Sequence, residues 1–248
     1  MDPLTVAAAS GLRSRLDSLD LLANNLANSA TSGYKSDSEF YGLYTSDEGI
    51  DPVTGDPSFT LPTVKRQWTD FSQGTLVPTG SQLDVGLSGR GFLAVDGSSG
   101  PLYTRNGNLQ VTTAGKLVTA EGYPVRGVDG NPIQVSPGKT IEITPDGSVR
   151  QGGLPVGQIA ILDFKNTSLL KKMGGTYFIN SDSKTNPPAA ATQTTVQQGK
   201  LESSNVPVAE AAMRLVGTMR QFEMLQKAIG ISAEMNKKTI DEVARVGS

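Results

Sequence analysis

The sequence predicts an α+β protein: long terminal helices form a coiled-coil-like domain, and the middle of the chain forms an antiparallel, barrel-like or sandwich-like β-rich domain. Three observations carry this prediction. Apolar residues recur at alternating spacings of three and four near both ends. Short apolar runs in the middle are separated by turn pairs ending in glycine. The 28 glycines and 14 prolines among 248 residues are the composition of a turn-rich chain. The boundaries that follow are residues 1–66 with 199–248 for a discontinuous helical domain, about 36–66 of it connector, and 67–198 for the β-rich domain.

At the start, Asp2 is a good N-cap and Pro3 suits the first helical position, where no backbone hydrogen bond is lost. Ala9, Leu12, Leu16, Leu19, Ala23, Leu26 and Ala30 then make a heptad seam on one face, widened by Leu21 and Leu22. Thr31-Ser32-Gly33 supplies the stop, because glycine closes a helix in the left-handed conformation. Asn24, Asn25 and Asn28 are polar positions near that end. Such asparagines either set the register of packed helices or hydrogen-bond locally at the helix terminus.

In the middle, Asp96-Gly97, Asn106-Gly107, Ala114-Gly115, Asp129-Gly130 and Asp146-Gly147 are turn signals. They bound strand candidates at Leu83–Leu87, Phe92–Val95, Leu109–Val111, Lys116–Val118, Ile133–Val135, Thr140–Ile143, Ser148–Arg150 and Gln158–Phe164. Several alternate apolar and polar residues, which predicts antiparallel pairing. Ser46–Pro62 and Asn180–Gln198 are polar and rich in Pro and Thr, and read as extended connectors.

Near the end, Asn205 is a candidate cap, Pro207 lies in the first turn, and Glu210 complements the helix dipole. The seam Val208, Ala212, Leu215, Met219, Phe222, Gln226, Ile229, Ala233, Asn236, Ile240 and Val243 is polar only at Gln226 and Asn236. At about 1.5 Å per residue this helix spans roughly 60 Å. The shorter first helix covers part of that seam and leaves the rest for neighbouring molecules; the plainer alternative is a helical hairpin capping the β domain. The charges along the last helix, Arg214 to Glu242, either form a solvated face or pair between subunits.

Function classes narrow quickly. A net charge of −2 offers no field for nucleic acid. With no histidine and no cysteine, imidazole bases, thiol nucleophiles and the commonest transition-metal ligands are missing. Gly86–Gly91 has the wrong spacing for a nucleotide loop, and the turn aspartates lack calcium-loop spacing. Asn166-Thr167-Ser168 matches a glycosylation acceptor, a short and common pattern that decides nothing. No enzyme activity, cofactor, metal or small-molecule substrate is therefore expected. The first residues do not read as a Sec signal peptide, and no run approaches the roughly 20 apolar residues of a membrane helix.

The segment Leu22–Lys35, LANNLANSATSGYK, closely resembles the N-terminal signature of the flagellar rod and hook proteins. Leu201–Val206, LESSNV, with Glu210 and Arg220–Glu223 is similar to the C-terminal signature of that family. Thr79-Gly80, Leu83–Val85, Gly89–Phe92, Tyr103–Gly107 and Gly115–Val118 resemble its β domain, so the likeness covers nearly the whole chain. Asp70–Gly74, the Arg220–Met224 run and the modest length look most like a proximal-rod member, with a distal-rod or hook subunit second.

The resemblance implies a subunit exported by the flagellar type III apparatus and located in the basal-body rod, which spans the periplasm. It also implies helical assembly with other rod subunits and with copies of itself, the terminal helices packing as coiled coil in an inner tube. The implied interface residues are Leu12, Leu16, Leu19, Ala23, Leu26, Asn24, Asn25 and Asn28 at one end, and Leu215, Met219, Phe222, Ile229 and Ile240 at the other. The rival classes are a secreted β-domain adhesin, which would bind without its terminal seams, and an enzyme, which would need a convergent carboxylate pair.

Overall fold

Pro3 opens the first helix, α1 (Pro3–Ala27), and the last helix, α2 (Val208–Val246), runs for 39 residues. The computed structural model describes residues 3–45 and 60–246. The chain divides into two units: Met1–Ala27, Asp37–Trp68 and Pro207–Ser248 form the first, Asn28–Ser36 and Thr69–Val206 the second. The expected cap Asp2 and the stretch 46–59 of the expected connector lie outside the described residues.

In the first unit α1 and α2 pack against each other, and β1 (Asp37–Thr45) pairs with β2 (Thr60–Thr69) in a two-stranded sheet. These strands occupy much of the segment read from sequence as connector. Phe40, Tyr41, Leu43, Tyr44, Val64 and Trp68 supply the aromatic and branched side chains that favour a pleated backbone. A second correction concerns the start of α2. The Ala211 amide bonds the Pro207 carbonyl at 2.9 Å, so the helical ladder starts at Pro207 and Asn205 is not its cap. Glu210 does lie in the first turn, paired with Arg214 at 3.1 Å.

The second unit contains β3 (Leu76–Pro78), β4 (Val85–Ser88), β5 (Phe92–Gly97), β6 (Gly100–Thr104), β7 (Leu109–Val111), β8 (Leu117–Thr119), β9 (Ile141–Ile143), β10 (Ser148–Gln151), β11 (Leu154–Gln158), β12 (Ile161–Asp163), β13 (Leu170–Gly174), β14 (Tyr177–Asn180), β15 (Ala189–Ala190), β16 (Thr195–Gln198) and β17 (Lys200–Glu202). Six strands form one antiparallel sheet in the order β13-β14-β6-β5-β12-β15, and β11-β10-β9 form another. The pairs β16-β4, β17-β3 and β7-β8 are also antiparallel. The α+β class and the antiparallel pairing are as expected.

Two apolar clusters hold this unit. One is aliphatic, centred on Val85, Leu87, Leu93, Leu117, Val125 and Val149. The other is aromatic: Phe92, Tyr103, Phe164 and Phe178 pack at ring separations of 4.7–6.0 Å, mostly edge to face. Ile133–Val135 makes bridges to its neighbours and not a strand, its Ile133 carbonyl accepting from Leu117. The expected connector Asn180–Gln198 is in part ordered sheet, with β15 on β12 and β16 on β4. Asn186 anchors it: 1% exposed, it exchanges side-chain hydrogen bonds with the Asn166 backbone. Polarity marked this stretch as loop, whereas Asn180, Asp182, Thr185, Asn186 and Gln198 find their hydrogen-bond partners within the chain.

At the Asp146-Gly147 turn, the Asp146 carboxylate accepts from the Ser148 and Thr144 hydroxyls, and these bonds hold its pKa at about 2. The turn's contribution is therefore complete above the ordinary carboxylate value and is lost as pH falls through about 2. A carboxyl-carbon NMR titration is expected to show Asp146 ionised down to that pH, and Ser148→Ala is expected to raise its midpoint toward the ordinary range.

Candidate assembly site

Among the described side chains of α1 the least exposed positions are Gly11, Ser14, Ser18, Leu22 and Asn25, again at spacings of three and four. Gly11 meets α2 directly, with the Leu225 methyl 3.6 Å from where its Cβ would stand. Leu12, Leu19 and Leu26 are half-buried beside this stripe, and Leu16 and Ala23 face outward. Small residues on the inner stripe let the backbones approach, while the larger leucines flank them.

Among the described side chains of α2, Ala211 is buried and Ala212, Leu215, Gly217, Thr218, Phe222, Leu225 and Ile229 are half-buried. Leu215, Phe222 and Ile229 of the predicted seam are among them, and Met219 is 47% exposed. Ile240 lies on α2, its side chain outside the described residues. The inner seam thus takes Leu225 in place of the polar Gln226. A second apolar stripe faces away: Met213, Met224, Ile231 and Met235 are 56–70% exposed.

The asparagines divide. Asn25 is buried, its Nδ2 donating to the Asp37 carbonyl at 2.7 Å and its Oδ1 accepting from the Asp37 amide at 2.9 Å. Asn28 accepts from the Thr31 hydroxyl and amide as the helix ends. Both make hydrogen bonds within the chain at the C-terminal end of α1. Asn24 is exposed.

In the second unit the two signature segments meet. The Gly33 amide donates to the Glu202 carbonyl at 2.7 Å, and the Ser36 amide donates to Asn205 Oδ1 at 2.8 Å. Asn205, read from sequence as a helix cap, is instead a tether: its Nδ2 donates to the Asp70 carbonyl at 2.8 Å and to the Ser72 hydroxyl at 3.0 Å. Between these ties lies a buried charge cluster. Lys35 Nζ stands 2.6 Å from Glu202 Oε1, and Arg105 bonds Glu202 Oε2 at 3.2 Å, with all three side chains 0–3% exposed. Burial pushes both Lys35 and Arg105 below their usual pKa values, against the opposing pull of Glu202. Lys172 closes the top, its ammonium 4.1 Å over the Tyr34 ring and donating to the Lys35 carbonyl.

Residues 86–151 match the flagellar hook protein FlgE/F/G D1 domain, and residues 197–242 match the flagellar basal body rod FlgEFG protein C-terminal family. The flagellar basal-body rod protein FlgF of Caulobacter vibrioides is 30% identical over 234 residues, covering 92% of both chains. The chain belongs to the flagellar basal-body rod protein family. FlgF of Escherichia coli is 32% identical over 92% of this chain and 93% of its own, and FlgG of Buchnera aphidicola subsp. Schizaphis graminum is 30% identical over 96% and 98%. This rod protein is a structural component of the flagellar basal body.

Sequence reasoning named the segments holding Lys35 and Glu202 but assigned neither residue a role, and it passed over Arg105 inside the Tyr103–Gly107 motif. One signal was available: a lysine and a glutamate inside the two most family-like segments of the chain. Their pairing spans 167 positions, which no local pattern encodes.

Proposed function

We propose that this rod protein is a proximal-rod subunit that reaches its place through the flagellar type III apparatus and assembles helically, its terminal helices packing with those of neighbouring subunits as coiled coil. The observation carrying this reading is the outward apolar stripe Met213, Met224 and Ile231 on α2, exposed on the side away from the inner seam. At 39 residues against 25, α2 outruns its intramolecular partner. A helix apolar on two faces buries both only in a multi-helix array. The partners are other rod subunits and further copies of this one, and the contacts are heterologous, continuing along the rod without closing.

The proximal position is supported by the FlgF relatives and by the Arg220–Met224 run. A distal position is the second reading, favoured by the match to FlgG over 96% of the chain. The export reading rests on family membership. In this reading the protein has no catalytic role and takes no cofactor, nucleic acid or small-molecule substrate.

Met224→Asp with Ile231→Asp tests the stripe without touching the inner seam. Motility and basal-body morphology are scored in a strain confirmed to make the protein. Loss of swimming with rods arrested early is the expected result; normal swimming on intact rods would sink the assembly reading. Leu215→Asp with Phe222→Asp is a poorer test, since both residues also pack within the chain.

A further inference from the structure

The link from α1 to β1 passes through Gly33–Ser36, a stretch that belongs to no strand. Its hydrogen bonds reach outward to distant parts of the chain. Besides the ties of Gly33 and Ser36 to Glu202 and Asn205, the Asp70 amide donates to the Ser36 carbonyl at 2.8 Å and Lys35 Nζ donates to the Ser72 carbonyl at 2.6 Å. Tyr34, 1% exposed, is covered by Lys172.

The walls that receive this stretch are joined to one another without it. Strand β17 pairs with β3, and the Ser203 amide donates to the Thr75 carbonyl at 2.9 Å. Asn205 holds Asp70 and Ser72. Glu202 accepts from the Gly74 amide at 2.9 Å and from Arg105, which also donates to the Gly89 carbonyl at 2.8 Å. Gln73 is bound to Leu87 and Gly89.

The charges point the same way. Without Lys35 the slot holds one buried carboxylate and one buried guanidinium, and is balanced. Adding Lys35 brings a second buried cation onto the same carboxylate. Two further carboxylates, Asp70 on Lys35 and Asp163 on Arg105, act more weakly than Glu202. A buried cation is tolerated only with a paired, hydrogen-bonded anion. Lys35 therefore depends on Glu202, whereas Glu202 keeps its other partners without Lys35.

We propose that Gly33–Ser36 is a strap that docks last into a slot already closed by Asp70–Gly74, Arg105 and Glu202–Asn205, that it opens without unfolding the β-rich unit, and that Lys35 makes its docking conditional on Glu202. The strap is held by side-chain ties and isolated backbone hydrogen bonds and belongs to no strand ladder, and contiguous units of this kind open by themselves. The strap's opening does not depend on the assembly reading.

The test is hydrogen exchange on the full-length protein, read for peptides spanning the strap and for β5 and β10. In the native protein the strap amides are expected to exchange about ten-fold or more faster than β5 and β10, with little dependence on denaturant. Glu202→Gln is expected to speed strap exchange by at least another ~10-fold, and adding Lys35→Met to restore most of that protection, because the strap itself then carries no unpaired cation and only Arg105, on the slot wall, is left without its carboxylate. Should Glu202→Gln not fold, Asn205→Ala leaves the charges in place and is expected to speed the strap about ten-fold with β5 and β10 unchanged. Equal rates and equal denaturant dependence for strap and strands would show a single cooperative unit and overturn the proposal. So would a double variant no better protected than Glu202→Gln, or Asn205→Ala that leaves the strap unchanged or loosens the strands equally.

Discussion

Glu202→Gln is expected to lower the unfolding free energy of the β-rich unit by about 3–5 kcal/mol, the range for stripping a buried charge from its partners. The same glutamate neutralises Lys35 and Arg105, both 0–3% exposed, so its loss leaves two cations without their nearest anion. Glutamine retains an oxygen for the Gly74 amide, which confines the change largely to charge. Lys35→Met is expected to cost much less, about 1–2 kcal/mol, the scale of lost hydrogen bonds. Glu202 then still holds Arg105 and Gly74, and the Ser72 carbonyl still accepts from Asn205 at 3.3 Å. Denaturant titrations with matched slopes measure both. If Lys35→Met costs as much as Glu202→Gln, the asymmetry drawn from the charge count is wrong.

Gly33→Ala is the second large effect. Gly33 has φ of +71°, and a Cβ there would lie 2.3 Å from the Asn106 amide nitrogen and 2.4 Å from the Arg105 carbonyl carbon. The left-handed backbone costs a side-chain-bearing residue about 1–3 kcal/mol, and forcing an atom against packed backbone costs about 1–3 more. A combined loss of roughly 3 kcal/mol or more is expected from those two terms. Gly130→Ala is the internal control: its φ is +83°, but nothing lies within 4 Å of the added carbon. It carries the backbone cost alone, about 1–3 kcal/mol. Similar losses for the two variants would show that the backbone at Asn106 yields, and would remove Gly33 as a close-contact position.

The helices, the antiparallel middle and several turns were readable because each is specified over a few neighbouring residues. Asp129-Gly130, Ala114-Gly115 and Asp146-Gly147 place positive φ at their glycines as turn chemistry demands. Gly33 also has positive φ, but α1 already ends at Ala27 and the Gly33 amide donates to the Glu202 carbonyl, so it is not the glycine that closes the helix. Asn106-Gly107 misled: Gly107 has no positive φ and is glycine because Val85 presses its carbonyl oxygen into the space a Cβ would fill. The short strands β13, β14 and β15 were missed because their pairing partners, not their own alternation, make them strands.

By itself the sequence determined the fold class, the amphipathic nature of both ends and the family, since period, turn chemistry and signature segments are all local properties of the chain. Only the tertiary structure decided which of two possible seams on α2 turns inward, because a spacing of three and four fits Leu225 as well as Gln226 until α1 is packed alongside. It also decided that Asn205 ties segments together and caps no helix, and that Lys35 finds its anion 167 residues away. Partners that distant are chosen by three-dimensional packing and charge balance, and neither leaves a periodic trace in the order of residues.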